Sequence, residues 1–95
     1  MIRSFKDKET ENIYKGIFSK KIPNNIQKTA LRKLIMLNSS NSLNDLRIPP
    51  SNHLEKLTGD LDGYYSIRIN NQYRIIFKLD NDGTDVIEVK IVDYH

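Results

Sequence analysis

Six residues carry the groups best suited to move protons or hold an anion: His53, Arg68, Arg74, Asp93, Tyr94 and His95. Imidazole titrates nearest neutrality, with an unperturbed pKa of about 6.5, so the two histidines are the first candidates for proton transfer. Arginine stays charged and presents its donors in a planar fork that matches an oxyanion. The triplet Asp93-Tyr94-His95 closes the sequence, which leaves two readings, a loose terminus or a functional group. The apolar alternation running up to Val92 without a polar spacer counts toward the second, because the triplet then leaves a strand directly, and the residues alone leave both readings open. Other chemistries are poorly supplied. There is no cysteine, and His53 and Glu55 stand only two apart with no second ligand at i+4, so neither a metal nor another cofactor is predicted. Glu55, Asp60 and Asp62 read as solvated loop acids.

Positioning these groups falls to the C-terminal half. From Tyr64 the apolar period is two: Tyr65, Ile67 and Ile69, then Tyr73, Ile75, Phe77 and Leu79, then Ile87, Val89 and Ile91. Turn formers separate the three runs, at Asn70-Asn71-Gln72 and Asp80-Asn81-Asp82-Gly83, so three successive antiparallel strands are predicted. A two-residue turn at Asn70-Asn71 would set Ile67 opposite Arg74. A three-residue loop or a bulge instead pairs Ile67 with Ile75 and Arg68 with Arg74, keeping every apolar side chain on the core face. Bringing Leu79 opposite Ile87 in the next hairpin sets Lys78 against Glu88 and Arg74 against Val92, beside Asp93. The outer face then carries Arg68, Arg74, Lys78 and Lys90.

Earlier in the chain, residues 2–6 alternate as a short strand, Asp7 caps a predicted helix over about 8–18, and Pro23 sits in the first turn of a second helix. Ile26, Ala30, Leu31, Leu34, Ile35 and Leu37 give that helix one apolar face. Pro49-Pro50 excludes helix from the long connection that follows. The fold class is therefore α+β in the order β-α-α-β-β-β, an antiparallel sheet with two N-terminal helices packed on one face, predicted as one domain over 1–95.

The net charge of +3 is regional: residues 1–50 hold ten Lys/Arg against four Asp/Glu, and residues 51–95 hold five against eight. No acidic residue lies between Glu11 and Asp45, where Lys15, Lys20, Lys21, Lys28, Arg32 and Lys33 fall. Such a one-sign field suits an anionic partner such as nucleic acid; a solvated lysine-rich helix face is the competing reading. No signal-peptide or membrane-spanning apolar run is present, so a cytoplasmic protein without membrane contact is predicted.

Three segments together resemble one family. Leu46-Arg47-Ile48-Pro49-Pro50 leading to His53-Leu54-Glu55-Lys56-Leu57-Thr58-Gly59-Asp60, then Gly63-Tyr64-Tyr65-Ser66-Ile67-Arg68-Ile69-Asn70-Asn71-Gln72-Tyr73-Arg74, then Val92-Asp93-Tyr94-His95, are similar in type and order to HigB-type toxins of the RelE/ParE superfamily. Ile2-Arg3-Ser4-Phe5 and Ala30-Leu31-Arg32-Lys33-Leu34 extend the resemblance over nearly the whole chain. It implies a RelE/ParE-like fold and a type II toxin-antitoxin toxin, a ribosome-dependent, metal-free endoribonuclease that cuts mRNA by 2′-hydroxyl attack. The implied partners are a HigA-type helix-turn-helix antitoxin, the ribosome and mRNA, with operator DNA reached only through the antitoxin. By position, the resemblance implies Arg74, Asp93, Tyr94 and His95 as the catalytic centre, with Arg68 and Gln72 contacting RNA beside it.

Metal-free RNA cleavage needs a base, an acid and cations for the charge that builds on phosphorus, and these residue types supply them. One segment departs from the family. Where some members have histidine and lysine flanking a Pro-Leu pair before Gly-Asp, this chain has Glu55 and Thr58; His53 and Lys56 are shifted by two and stand as RNA-contacting candidates, with Lys20, Lys21, Lys28, Arg32 and Lys33 as further basic contacts. The alternative function is a non-enzymatic ParE-like toxin acting on a protein such as gyrase, for which His95 would be incidental.

Overall fold

In the computed structural model, which describes residues 1–94, helix α1 runs Lys8–Tyr14. Asp7 caps it, its carboxylate accepting from the Thr10 amide at 3.0 Å and so satisfying one of the donors a helix start leaves bare. The helix stops short of residue 18 because Gly16, at φ 80°, turns the chain through the left-handed conformation that suits glycine. Helix α2 spans Asn24–Ser39, with Pro23 at its N-cap rather than inside its first turn. Its buried arc is Ile26, Ala30, Lys33, Leu34 and Leu37. Ile35 lies about 100° around the helix from Leu34 and so falls outside that arc. It is 51% exposed, against the expectation that it would face the core.

One antiparallel sheet follows, in the order β1 (Glu55–Lys56), β2 (Tyr65–Arg68), β3 (Tyr73–Leu79) and β4 (Val86–Asp93). Strand β1 is too short to show a period and was not visible in the sequence. The predicted first strand is reduced to two parallel bridges from the N-terminal segment, Ile2 to Val86 and Phe5 to Val89. Between them Glu88 sits at φ 54° and gives its N–H to the Ser4 hydroxyl at 2.9 Å, so no continuous ladder forms.

The first hairpin has the predicted register, Ile67 opposite Ile75 and Arg68 opposite Arg74. The second differs. Leu79 pairs with Val86 and Lys78 with Ile87, not Leu79 with Ile87, and a bulge then sets both Glu88 and Val89 against Phe77. The extra residue restores Arg74 opposite Val92, and Lys78 still reaches the Glu88 carboxylate at 3.8 Å.

Ile13, Ile26, Ala30, Leu34 and Leu37 from the helices pack on Ile67, Ile75, Phe77, Val89 and Ile91 from the sheet. The opposite face is not simply charged, as its sequence suggested. Leu57, Tyr64 and Ile76 form a second small cluster there, with Leu61, Val92 and Tyr94 against it, because the segment from Leu54 to Gly63 folds back over the sheet. Tyr64 donates its hydroxyl hydrogen to Glu88 at 2.8 Å and lies under the ammonium groups of Lys6 and Lys78, 5.1 and 4.8 Å from the ring centre.

At the far end of β4, Arg3 Nε lies 2.8 Å from Asp85 and the N-terminal ammonium 3.5 Å from it. The hydrogen bond from Arg3 holds the Asp85 carboxyl below the usual aspartate range. A depressed folded pKa contributes stability above the unfolded value, and that contribution disappears as pH falls through the folded one. Asp85→Asn is therefore expected to be less stable than the parent at neutral pH and to match it in strong acid, as urea titrations at the two conditions will measure. Added salt should also narrow the neutral-pH gap, since the pair is exposed.

Candidate active site around Arg74

Register sets Arg68 directly opposite Arg74, a like-charge pair that costs stability unless the side chains separate. They do. Arg68 turns to the hairpin loop, giving Nε–H to the Asn70 carbonyl at 3.0 Å and a second hydrogen bond to the Asn71 side chain. Arg74 turns toward the segment before β1. Its Nη1 donates to the Ser66 hydroxyl at 2.9 Å and the His53 carbonyl at 3.2 Å, and its Nη2 to the Glu55 carboxylate at 3.1 Å. The Tyr94 ring covers the guanidinium at 5.4 Å, leaving the Arg74 side chain only 14% exposed. A cation held on four sides is already in place for an anion and needs little ordering to receive one.

Tyr94 is not loose. Its N–H donates to the Gln72 carbonyl at 2.7 Å, one step beyond the Tyr73–Asp93 pair, and Gln72 Nε2 donates to Asp93 at 3.0 Å. The ladder thus brings Gln72, Asp93 and Tyr94 to the end of the sheet that carries Arg74. His95, the fourth predicted catalytic residue, lies outside the described residues.

The other predicted contacts divide. His53 is exposed and meets Arg74 through its backbone, in a left-handed conformation (φ 44°) that closes the short turn Pro50–Asn52. Lys56 pairs with Tyr65, so strand alternation places it on the face opposite Glu55, Ser66 and Arg74. Lys20, Lys21, Lys28 and Arg32 are exposed, Lys28 and Arg32 on helix α2 and Lys20 and Lys21 in the connection before it. Lys33 corrects the sequence reading of a basic surface. It is 6% exposed and its ammonium donates inward to Asn52 Oδ1. Burial pushes its pKa down, and the nearby Arg32 charge pushes it the same way.

Three residues of this site were missed. Ser66 is fully buried and shares the outer face with Arg68 and Arg74, so the period-two pattern already contained it. Glu55, read from the sequence as a solvated loop acid and a departure from the family, is the counter-ion of Arg74. Asn52 gives no signal in the sequence, yet its amide joins Lys33 of α2 to the Leu46 carbonyl at 3.0 Å and fixes the segment that delivers His53 and Glu55.

A model of the family described as RelE-like toxins of type II toxin-antitoxin systems, HigB, matches residues 3–95. The chain belongs to this HigB-like toxin family. Toxin HigB-1 of Vibrio cholerae is 44% identical over 79 residues, covering 82% of this chain and 83% of the relative. An uncharacterized protein of Haemophilus influenzae is 46% identical over 79 residues, 82% of this chain and 78% of its own. Among solved structures, the heterotetrameric YoeB–YefM toxin-antitoxin complex of Staphylococcus aureus matches with TM-score 0.57 at 23% identity, over 100% of this chain and 98% of that one. YafQ of E. coli matches with TM-score 0.52 at 16% identity, over 94% and 89%. At those identities the match concerns the fold, and it agrees with the α+β arrangement seen in this HigB-like chain.

Proposed function

We propose that this HigB-like toxin is a ribosome-dependent endoribonuclease that cuts mRNA by 2′-hydroxyl attack without a metal, and that a HigA-type helix-turn-helix antitoxin restrains it. The observation that carries the reading is Arg74, held by Ser66, His53 and Glu55 and roofed by Tyr94, at the end of the sheet that bears Asp93 and leads into His95. Family membership and the toxin-antitoxin complex among the structural neighbours support the assignment to a two-component system.

In this reading the 2′-hydroxyl gives its proton to a base and its oxygen bonds to the adjacent phosphorus, the bond from phosphorus to the 5′-oxygen breaks to leave a 2′,3′-cyclic phosphate, and an acid protonates the departing 5′-oxygen. Arg74 stabilises the extra negative charge on the phosphoryl oxygens, competing with Glu55 for the incoming group. Tyr94 stacks against the unstacked base next to the cut. His95 transfers a proton and Asp93, already tied to Gln72, orients it. Arg68, Gln72 and the exposed His53 side chain contact the flanking nucleotides. Lys56 lies on the other face and is left to the ribosome rather than the reacting strand.

The test is to map mRNA 5′ ends in a translation reaction with and without ribosomes, for the parent and for His95→Gln. Cuts that need both ribosomes and His95 are expected. Naked RNA cut as efficiently as ribosomal mRNA would remove the ribosome dependence. Growth arrest with intact mRNA, unchanged in His95→Gln, would replace the nuclease by a ParE-like action on a protein target.

A further inference from the structure

Arg74 already holds an anion. A guanidinium offers five N–H donors, and three of those on Arg74 go to the Ser66 hydroxyl at 2.9 Å, the His53 carbonyl at 3.2 Å and the Glu55 carboxylate at 3.1 Å. Ser66 is fully buried and the His53 carbonyl belongs to the backbone, so both serve to aim the group. Glu55 differs from them in charge and in exposure, its side chain being 48% exposed against 14% for Arg74. A phosphoryl oxygen presents to an arginine the same kind of charged acceptor that Glu55 presents here.

Strand pairing sets the carboxylate there. Glu55 lies opposite Ser66 across β1 and β2, and Ser66 is the hydroxyl that receives Nη1. The acid is therefore tethered within reach of the guanidinium, yet it can swing into solvent by rotation about its own side-chain bonds, a fast motion that needs no backbone change. An ion pair half open to water is weak enough to part in this way. A tethered group nevertheless competes at an effective concentration on the order of millimolar. A phosphate arriving from dilute solution displaces it rarely, whereas one delivered in a fixed position by a larger assembly competes on equal terms.

We propose that Glu55 is a built-in counter-ion that occupies a phosphate-binding donor of Arg74, discriminates against free RNA, and yields to a strand held in place on the ribosome. The proposal rests on the nuclease reading above and deepens it, because it puts part of the ribosome dependence in one side chain. Glu55 acts through Arg74 and is a positioning residue, not an acid or base of the reaction.

The test uses Glu55→Gln, which keeps the side-chain length and an oxygen acceptor for Nη2 while removing the charge. Asp60→Asn is the comparison, the same charge change at an exposed position of the same segment. Binding is followed by fluorescence anisotropy on a short single-stranded 2′-O-methyl RNA, which cannot undergo 2′-hydroxyl attack. Glu55→Gln is expected to bind at least about fivefold more tightly than the parent, and Asp60→Asn less than about twofold. The slope of log Kd against log salt should also steepen by about 0.7 in Glu55→Gln, since the freed Arg74 sheds a solvent ion where the parent sheds its own carboxylate. The gain should vanish in an Arg74→Ala background, and on naked cleavable RNA it should appear as a lower KM. Equal gains from the two variants, or a gain that persists without Arg74, would reduce Glu55 to part of the general field and overturn the proposal. A lower saturated rate for Glu55→Gln at unchanged KM would make the carboxylate a proton acceptor and overturn it too. Because the modified RNA reports binding without cutting, a failure of the nuclease reading, seen as ribosomal mRNA left intact by the parent, is read separately.

Discussion

Arg74→Ala is expected to slow ribosomal mRNA cleavage by about 10²–10³-fold, the usual effect of removing a preorganised donor from a site where charge develops. The magnitude follows from how Arg74 is held. Three hydrogen bonds and the Tyr94 ring fix the guanidinium before substrate arrives, so the loss is of a prepared electrostatic partner rather than of a mobile surface charge. Arg74→Lys separates charge from geometry. An ammonium cannot span Ser66, the His53 carbonyl and Glu55 together, so cleavage should still fall, by roughly tenfold or more. Circular dichroism and a urea titration must accompany both variants. Alanine also leaves the buried Ser66 hydroxyl without its partner, at a cost of about 1–2 kcal/mol, which the protein is expected to tolerate. Full cleavage by folded Arg74→Ala would remove the centre of the proposed mechanism.

What the sequence revealed about this site depended on period and pairing. The shared face of Ile67 and Ile75 with a three-residue loop gave Arg68 opposite Arg74, and the assumed Leu79–Ile87 pairing gave Arg74 opposite Val92; both arginine pairs are found. The bulge at Glu88 was invisible because it inserts one residue without changing composition; the Leu79–Ile87 pairing failed there, and the register nevertheless recovered. Helical spacing located Ile26, Ala30, Leu34 and Leu37 in the core but could not say where the buried arc ended, so Ile35 was placed inside it and Lys33 outside. A lysine in a basic run reads as surface, and only the long connection packing back on α2 turns this one inward. The second cluster around Ile76 has the same origin. It is built by Leu57, Leu61 and Tyr64 of a segment with little regular structure, whose course local sequence does not specify.

That connection is also where the largest loss of stability is expected. Asn52 is fully buried; its amide donates to the Leu46 carbonyl at 3.0 Å and to Met36 sulfur at 3.2 Å, and its carbonyl oxygen receives the Lys33 ammonium. Asn52→Ala strips the buried ammonium and a backbone carbonyl of their partner at once, a change worth about 3–5 kcal/mol out of a typical total of 5–15. Lys33→Met should cost less, because it leaves one neutral oxygen bare but removes the charge that burial penalises. Protonation distinguishes these origins. The Lys33 pKa is already lowered, so between that value and the ordinary lysine value near 10.4 the unfolded chain binds more protons and stability rises with pH. Without Asn52 the pKa falls further and the window opens at lower pH, so the deficit of Asn52→Ala should shrink between neutral pH and about pH 9.5. A deficit independent of pH over that range would mean that the loss is one of packing and not of a stranded charge. Because the same segment brings the His53 carbonyl and Glu55 to Arg74, the variant should lose cleavage even at temperatures where it stays folded.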